Sequence, residues 1–297
     1  MVSRAEEVFA GLPPRTPDAV LQLGRFTLSL ERPLIMGIVN VTPDSFSDGG
    51  HFLDPGSAVE RALQLLDEGA DILDIGGESS RPGAQPVTAD EELRRILPVL
   101  EKLTALPVPV SVDTAKPQVM RQAIAAGAAM INDIFALRTP GALEAVAQSD
   151  VAVCLMHMQG EPRTMQQAPD YQDVVAEVKA FLMQRAAAAT AAGIAHDRVV
   201  LDPGFGFGKT AAHNLELLRA LPLLREAGFP LLAGLSRKAL FGKIVGREAA
   251  DRVHASAAGA LLAAQRGAAI VRVHDVAATR DCLLVLRAID DPTYSFP

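Results

Sequence analysis

A single parallel α/β barrel of eight strand–helix units is the fold this sequence predicts, on three observations. Eight short apolar, strand-like runs each end in a residue that can bind or ionise, at Asn40, Asp74, Asp113, Asn132, His157, Asp202, Ser236 and the pair Arg272/His274. Parallel strands buried on both faces read as near-continuous Val/Ile/Leu runs, so a polar residue closing each one needs a reason. Barrels of this kind place their chemistry at that end of the strands. The chain of 297 residues suits one large barrel of ~250 residues with short extensions. The composition is 49% hydrophobic with 4% aromatic residues and no Trp, as expected of Ala-, Leu-, Val- and Ile-built helices packed on a parallel sheet. The expectation is an α/β fold, a (β/α)8 TIM barrel with a short N-terminal hairpin closing the bottom.

The elements follow in order. Residues 20–30, VLQLGRFTLSL, alternate apolar and polar around Gly24-Arg25 and read as the hairpin, a plug over the closed end of the barrel. Strands are expected at 34–39, 71–75, 108–112, 129–132, 151–156, 198–201, 230–235 and 269–273. The helix at 90–104 shows the period: Leu93, Ile96, Leu97, Leu100 and Leu103 share one face, with Glu91, Arg94, Arg95, Glu101 and Lys102 opposite. Helix ends recur as a glycine just before a strand, at Gly69, Gly127, Gly193, Gly228 and Gly267, each suited to the left-handed C′ position. The connections after the strands, at 40–55, 76–88, 157–169 and 202–212, are long, and long loops on that side carry function. Residues 1–32 are therefore read as extension and hairpin, 33–290 as one barrel and 291–297 as a tail.

Charge and cysteine usage exclude several classes. The net charge is −7 and the isoelectric point near 5.4, with no basic run interleaved with aromatics, so the footprint of a nucleic-acid binder is missing. Cys154, in an expected strand, and Cys282, in an expected helix, cannot build a disulfide framework and suit a reducing cytosol. Glu6 and Glu7 stand where a signal peptide needs apolar residues, and no uncharged apolar stretch reaches about 18 residues. A soluble, cytoplasmic protein without nucleic-acid or membrane partners is expected.

The most specific segments are Met36–Gly50, MGIVNVTPDSFSDGG, and Asp74–Ala84, DIGGESSRPGA. With SVDT at 111–114, IND at 131–133, MHMQGEPRTMQ at 156–166, DPGFGFGK at 202–209, GLSRK at 234–238 and RVHDV at 272–276, the chain resembles the dihydropteroate synthases of the pterin-binding barrel family, in the family's order and from Met36 to about Val276. Read without that resemblance, Asp113, Asn132, Asp202 and Lys238 combine acceptors, an amide of both polarities and an ammonium. That set complements a flat heterocycle with adjacent N–H donors and a carbonyl. The resemblance makes these four the pterin-recognising residues and places Asp113 to stabilise positive charge developing on the ring.

Arg272 and His274 stand two residues apart at the last strand's exit, on one face, where barrels often hold phosphate. They suit one diphosphate, with Asn40 and Ser80 as further contacts; the resemblance also makes Asn40 the protein ligand of a magnesium ion. Phe46, Arg81, Pro82, Phe207 and Ser236 come from long loops, and the resemblance places p-aminobenzoate, and the sulfonamides that imitate it, among them. The implied reaction displaces pyrophosphate from 6-hydroxymethyl-7,8-dihydropterin diphosphate by the arylamine, giving 7,8-dihydropteroate. Catalysis is then electrostatic, with Asp113, Lys238, Arg272, His274 and Asp74 as the charged groups and Asp74 expected to orient loop residues or metal waters.

Three positions depart from the family pattern. Ser80 replaces a usual Thr, Phe135-Ala136 a usual Ser-Gly pair, and His254-Ala255 a usual Gly. The resemblance implies a homodimer through the late helices, although the small-residue run ASAAGALLAAQ at 255–265 suits barrel packing equally. Alternatives are a pterin-dependent methyltransferase domain, which is not expected to keep SFSDGG or Arg272/His274, and a non-catalytic pterin-binding paralogue. A Schiff-base aldolase using Lys238 is a third.

Overall fold

Side-chain parity along the strands organises the molecule. The structure, a computed structural model, describes residues 19–42, 55–79 and 85–295. A hairpin of β1 (Val20–Leu23) and β2 (Phe26–Ser29) precedes β3 (Leu34–Asn40), β4 (Ile72–Gly76), β5 (Val110–Asp113), β6 (Met130–Asp133), β7 (Ala152–Met156), β8 (Val199–Asp202), β9 (Leu232–Ala233) and β10 (Ile270–Val273). The last eight form one parallel sheet in the order β8-β7-β6-β5-β4-β3-β10-β9, and a bridge between Leu201 and Leu231 brings its two edges together, leaving a nearly closed barrel. Helices α1 (Pro55–Asp67), α2 (Ala89–Leu103), α3 (Pro117–Ala125), α4 (Ala142–Ala147) and α5 (Val174–Ala191) connect the strands. They are followed by α6 (Ala211–Arg219), α7 (Leu221–Arg225), α8 (Ala239–Val245), α9 (Val253–Gln265) and α10 (Val276–Asp290).

Successive strand residues point to opposite faces. One set, including Ile35, Val39, Leu73, Ile75, Val112, Ile131, Val153 and Val271, packs outward under the helices as the main core. The other, Met36, Ile72, Met130, Ala152, Cys154, Val200, Leu232 and Ile270, fills the barrel interior together with Leu21 and Leu23 of the hairpin. The plug is thus two leucines, both fully buried, each contributing roughly 1.5–3 kcal/mol by leaving water. Continued upward with period two, the inward set turns polar at Asp74, Asp113, Asn132, Asp202 and Arg272, which is why the site sits inside one mouth of the barrel.

Expected and observed elements agree to within a residue or two, with one exception. The expected strand 230–235 shrinks to Leu232–Ala233, because Leu235 O accepts the Lys238 N–H and turns the chain out of the sheet. Helix α2 buries Ile96, Leu100 and Leu103 as expected, with Leu93 and Leu97 partly buried, and also buries Glu92, whose charge Lys116 meets at 2.5 Å. At the helix ends the five glycines adopt φ from +83° to +105°, the left-handed conformation that lets the chain reverse into the next strand. Free Cys154 lies in β7 and Cys282 in α10. No helix among the described residues is long and apolar enough to cross a membrane.

Candidate active site

At the C-terminal ends of the strands lies a cavity of about 670 Å³. Asn40, Asp113, Asn132, Asp202, Phe207, Ser236, Lys238, Arg272 and His274 all line it, so nine of the residues singled out from sequence converge on one space. Strand register accounts for part of this: Asn40 lies beside Gly76, Gly76 beside Asp113, and Asp113 beside Asn132, one row around the barrel. Phe46, Ser80, Arg81 and Pro82 lie outside the described residues.

Arg272 organises the polar floor. Its Nε donates to Asp74 Oδ2 at 2.6 Å and its Nη2 to Asp113 Oδ2 at 2.9 Å. The Arg272 guanidinium, expected from sequence to clamp a diphosphate, ties together two carboxylates from β4 and β5, reaching them from β10 across β3. Both carboxylates, with Asp202 behind them, favour its charge, whereas burial opposes it; the net shift is upward. Asp74 is fully buried, and its Oδ2 also accepts from Asn132 Nδ2 at 3.3 Å. Its contacts orient Arg272 and Asn132. Its Oδ1 has no hydrogen-bond partner among the described residues.

Burial pushes the Asp113 carboxyl up to about 7, with Arg272 opposing and the negative charges of Asp74, Glu92 and Asp133 reinforcing the rise. Asp202 is likewise raised, first by burial, against the Gly204 N–H it accepts at 2.7 Å and the nearby Lys238. Lys238 Nζ stands 4.2 Å from the centre of the Phe207 ring, a cation–π distance. Phe207 in turn packs with Met156, Met158 and Met165, and Phe135 lies against this cluster rather than on the cavity wall, so the ring that departs from the family pattern packs behind the pocket. The turn after β6 instead places left-handed Ala136 (φ +53°) and Leu137 (φ +56°) under the Asp133 carboxylate, which accepts the Phe135 and Leu137 N–H groups, both at 2.8 Å.

Ser236 and His274 meet directly: Ser236 Oγ accepts the His274 N–H at 3.2 Å and lies 3.0 Å from its Nδ1. Between Ser236 and Lys238, Arg237 holds φ +57°, secured by its ion pair to Asp275 and by donation of its N–H to Ser256 Oγ at 2.9 Å. His157, the remaining strand exit, turns away from the cavity to Phe181 (centroids 4.9 Å apart, edge-on), and burial holds it neutral, its pKa lowered to about 3. Beside β4, Glu78 lines the cavity and is held by Lys116. Sequence reasoning missed Glu78, Lys116, Tyr171 and Lys209. For Lys209 a signal existed, a lysine directly after the loop PGFGFG. Glu78 and Lys116 meet only in three dimensions.

Among the described residues no group of three or more His, Cys, Asp or Glu side chains can hold a metal ion. The metal ligand that the resemblance implies, the Asn40 amide, stands on the cavity wall at the end of β3. It fits an ion such as magnesium that takes few protein ligands and completes its shell with water and phosphate oxygens.

Residues 36–274 match the family described as Pterin binding enzyme. A dihydropteroate synthase of Neisseria meningitidis serogroup B is 54% identical over 277 residues, 91% of this chain and 97% of its own length. The solved Xanthomonas albilineans dihydropteroate synthase with 4-aminobenzoic acid superposes with a TM-score of 0.87 at 56% identity, covering 94% of this chain and 99% of that one. The Burkholderia cenocepacia dihydropteroate synthase complexed with 7,8-dihydropteroate superposes with a TM-score of 0.85 at 53% identity, covering 92% and 96%.

Proposed function

The chain belongs to the pterin-binding enzymes and, within them, to the dihydropteroate synthases, and on that premise we propose that its cavity condenses 6-hydroxymethyl-7,8-dihydropterin diphosphate with p-aminobenzoate to give 7,8-dihydropteroate and pyrophosphate. The chain is then a transferase of folate biosynthesis. The observation that carries the reading is the convergence of Asp113, Asn132, Asp202 and Lys238 from four strand exits on one cavity that also receives Arg272 and His274. A pterin needs an edge of acceptors and donors, and its diphosphate needs cations beside that edge; this cavity has both.

In this reading Asp113, Asn132, Asp202 and Lys238 hold the pterin. Arg272 and His274 hold the diphosphate with Asn40 and Ser80. Phe46, Arg81, Pro82, Phe207 and Ser236 receive p-aminobenzoate and the sulfonamides that resemble it. The aniline nitrogen has its own lone pair, so no protein nucleophile is needed. What the chain contributes is preorganised charge: Asp113, once ionised, faces the cation developing at the pterin methylene, and Arg272 and His274 face the departing diphosphate. Asn40 would hold a magnesium ion, which when bound neutralises charge on the leaving group.

The substrates are small molecules, and residues 33–290 act as one pterin-binding barrel. A homodimer through the late helices is supported by Leu262 on α9 and Val285 and Ile289 on α10, large apolar side chains left exposed on adjacent helices. A cytoplasmic location is supported by the two free cysteines. The test is formation of 7,8-dihydropteroate from the two substrates, with pyrophosphate release followed with and without magnesium. Substrate binding without product would leave the alternative of a non-catalytic paralogue.

A further inference from the structure

The loop between β8 and α6 is held in an unusual way. Gly204, Gly206 and Gly208 all take positive φ, at +69°, +81° and +60°. A Cβ at Gly204 would overlap the His157 carbonyl oxygen and one at Gly208 the Gln159 carbonyl oxygen, so the loop lies pressed on the backbone that leaves β7. Its own polar groups are taken up by side chains from elsewhere. The Gly206 N–H donates to Asn214 Oδ1 at 2.7 Å, Gly206 O accepts from Gln166 Nε2, and Gly208 O accepts from the Tyr171 hydroxyl at 2.8 Å.

Lys209 completes the set from within. Its buried Nζ meets Phe207 O at 2.9 Å, Gly204 O at 3.0 Å, His157 O at 3.3 Å and His157 Nδ1 at 2.9 Å. An ammonium has three N–H donors, so these acceptors use all of them. Burial lowers the Lys209 pKa to about 7, with Asp202 opposing. Two residues assigned to the substrate hang from this loop: Asp202, which accepts the Gly204 N–H, and Phe207, whose ring lies under Lys238 Nζ.

We propose that Lys209 is a positioning residue of the pterin site, an internal cation that gathers the carbonyls of His157, Gly204 and Phe207 and thereby sets the Asp202 carboxylate and the Phe207 ring against Lys238. It acts through the backbone of residues 203–208 and does not contact substrate. The proposal rests on the pterin reading of the cavity.

The experiment compares full-length wild type, Lys209→Met and Tyr171→Phe by calorimetric titration with 6-hydroxymethylpterin and, separately, magnesium pyrophosphate, alongside steady-state kinetics. Methionine keeps the unbranched apolar stem of the side chain and leaves three carbonyls without their donor. Pterin affinity of Lys209→Met should fall about ten-fold or more, the scale of a lost charged hydrogen bond. The KM for the pterin diphosphate should rise with it, kcat should change less, and pyrophosphate affinity should be unchanged. Wild-type pterin affinity in Lys209→Met overturns the proposal, as does equal loss for pterin and pyrophosphate, which is general loosening. Where Lys209→Met does not fold, Tyr171→Phe decides: it should weaken the pterin by a smaller factor with pyrophosphate unaffected, and wild-type pterin affinity there overturns the proposal. Absence of pterin binding by the wild type overturns the reading of the cavity instead.

Discussion

Replacing Arg272 with Met should destabilise the protein by an amount that depends on pH. The guanidinium is the bridge between Asp74, fully buried, and Asp113, largely buried, and methionine fills much of the same volume without charge. Breaking a buried pair by removing one partner costs about 3–5 kcal/mol, because the charge left behind is uncompensated. With an unfolding entropy of about 2.1 cal/mol/K per residue over 297 residues, roughly 0.6 kcal/mol/K, that is a fall in Tm of about 5–8 °C. The pH dependence follows from Asp113, which burial already raises to about 7 against the opposing Arg272. In wild type the folded carboxyl keeps its proton where the unfolded one has lost it, so ionising Asp113 costs stability as pH rises from about 4 to 7. Without Arg272 the carboxyl holds its proton to higher pH still. The variant therefore goes on losing stability between about pH 7 and pH 8, where the wild type no longer does, and its Tm deficit should be smaller at about pH 5 than at about pH 8. Calorimetric scans of both proteins at the two pH values decide it. A deficit that is the same at both, or absent at the higher pH, refutes the bridge.

Asp113→Asn should fold normally and lose kcat more than pterin affinity, because it keeps shape and removes the charge facing the developing cation; wild-type kcat removes Asp113 from the mechanism. In the wild type, kcat/KM should fall with acidity through an apparent pKa near 7, the value to which burial raises Asp113, and a flat profile across that range contradicts a role for the ionised form. Gly204→Ala should destabilise by several kcal/mol, since strain at positive φ adds to the overlap with His157 O; Gly193→Ala, at φ +96° with nothing nearby, should cost only about 1–3 kcal/mol, and equal losses in thermal scans deny the overlap its part. Magnesium pyrophosphate should raise the affinity for p-aminobenzoate, and the reverse by the same factor, because Ser80 of the expected diphosphate set adjoins Arg81 and Pro82 of the expected amine set. Indistinguishable titrations with and without pyrophosphate show that the two sites are uncoupled.

The parts of this molecule legible in the sequence are those governed by local periodicity. Alternation along 34–39 or 151–156 identifies a strand and its two faces, and a glycine such as Gly127 marks where a helix must reverse, because each depends on residues a few positions apart. The strand expected at 230–235 is shorter in the structure for a reason of the same kind in reverse: its apolar run continues through Leu235, but the carbonyl that ends pairing belongs to a turn whose partner, Lys238, looks from sequence like a ligand alone. The site was legible as a set of residue types but not as a network. Asp74, Asp113 and Arg272 each stood at a strand exit, yet nothing along the chain says that a guanidinium 198 positions away would divide itself between two carboxylates. That follows from closure of the barrel, which brings the last strand beside the first and turns its inward residues across the interior. Lys209 is the sharper case. Its neighbours in sequence are a glycine-rich loop and its type suggests a surface charge. Only the left-handed glycines and the carbonyls they aim inward convert it into an internal cation.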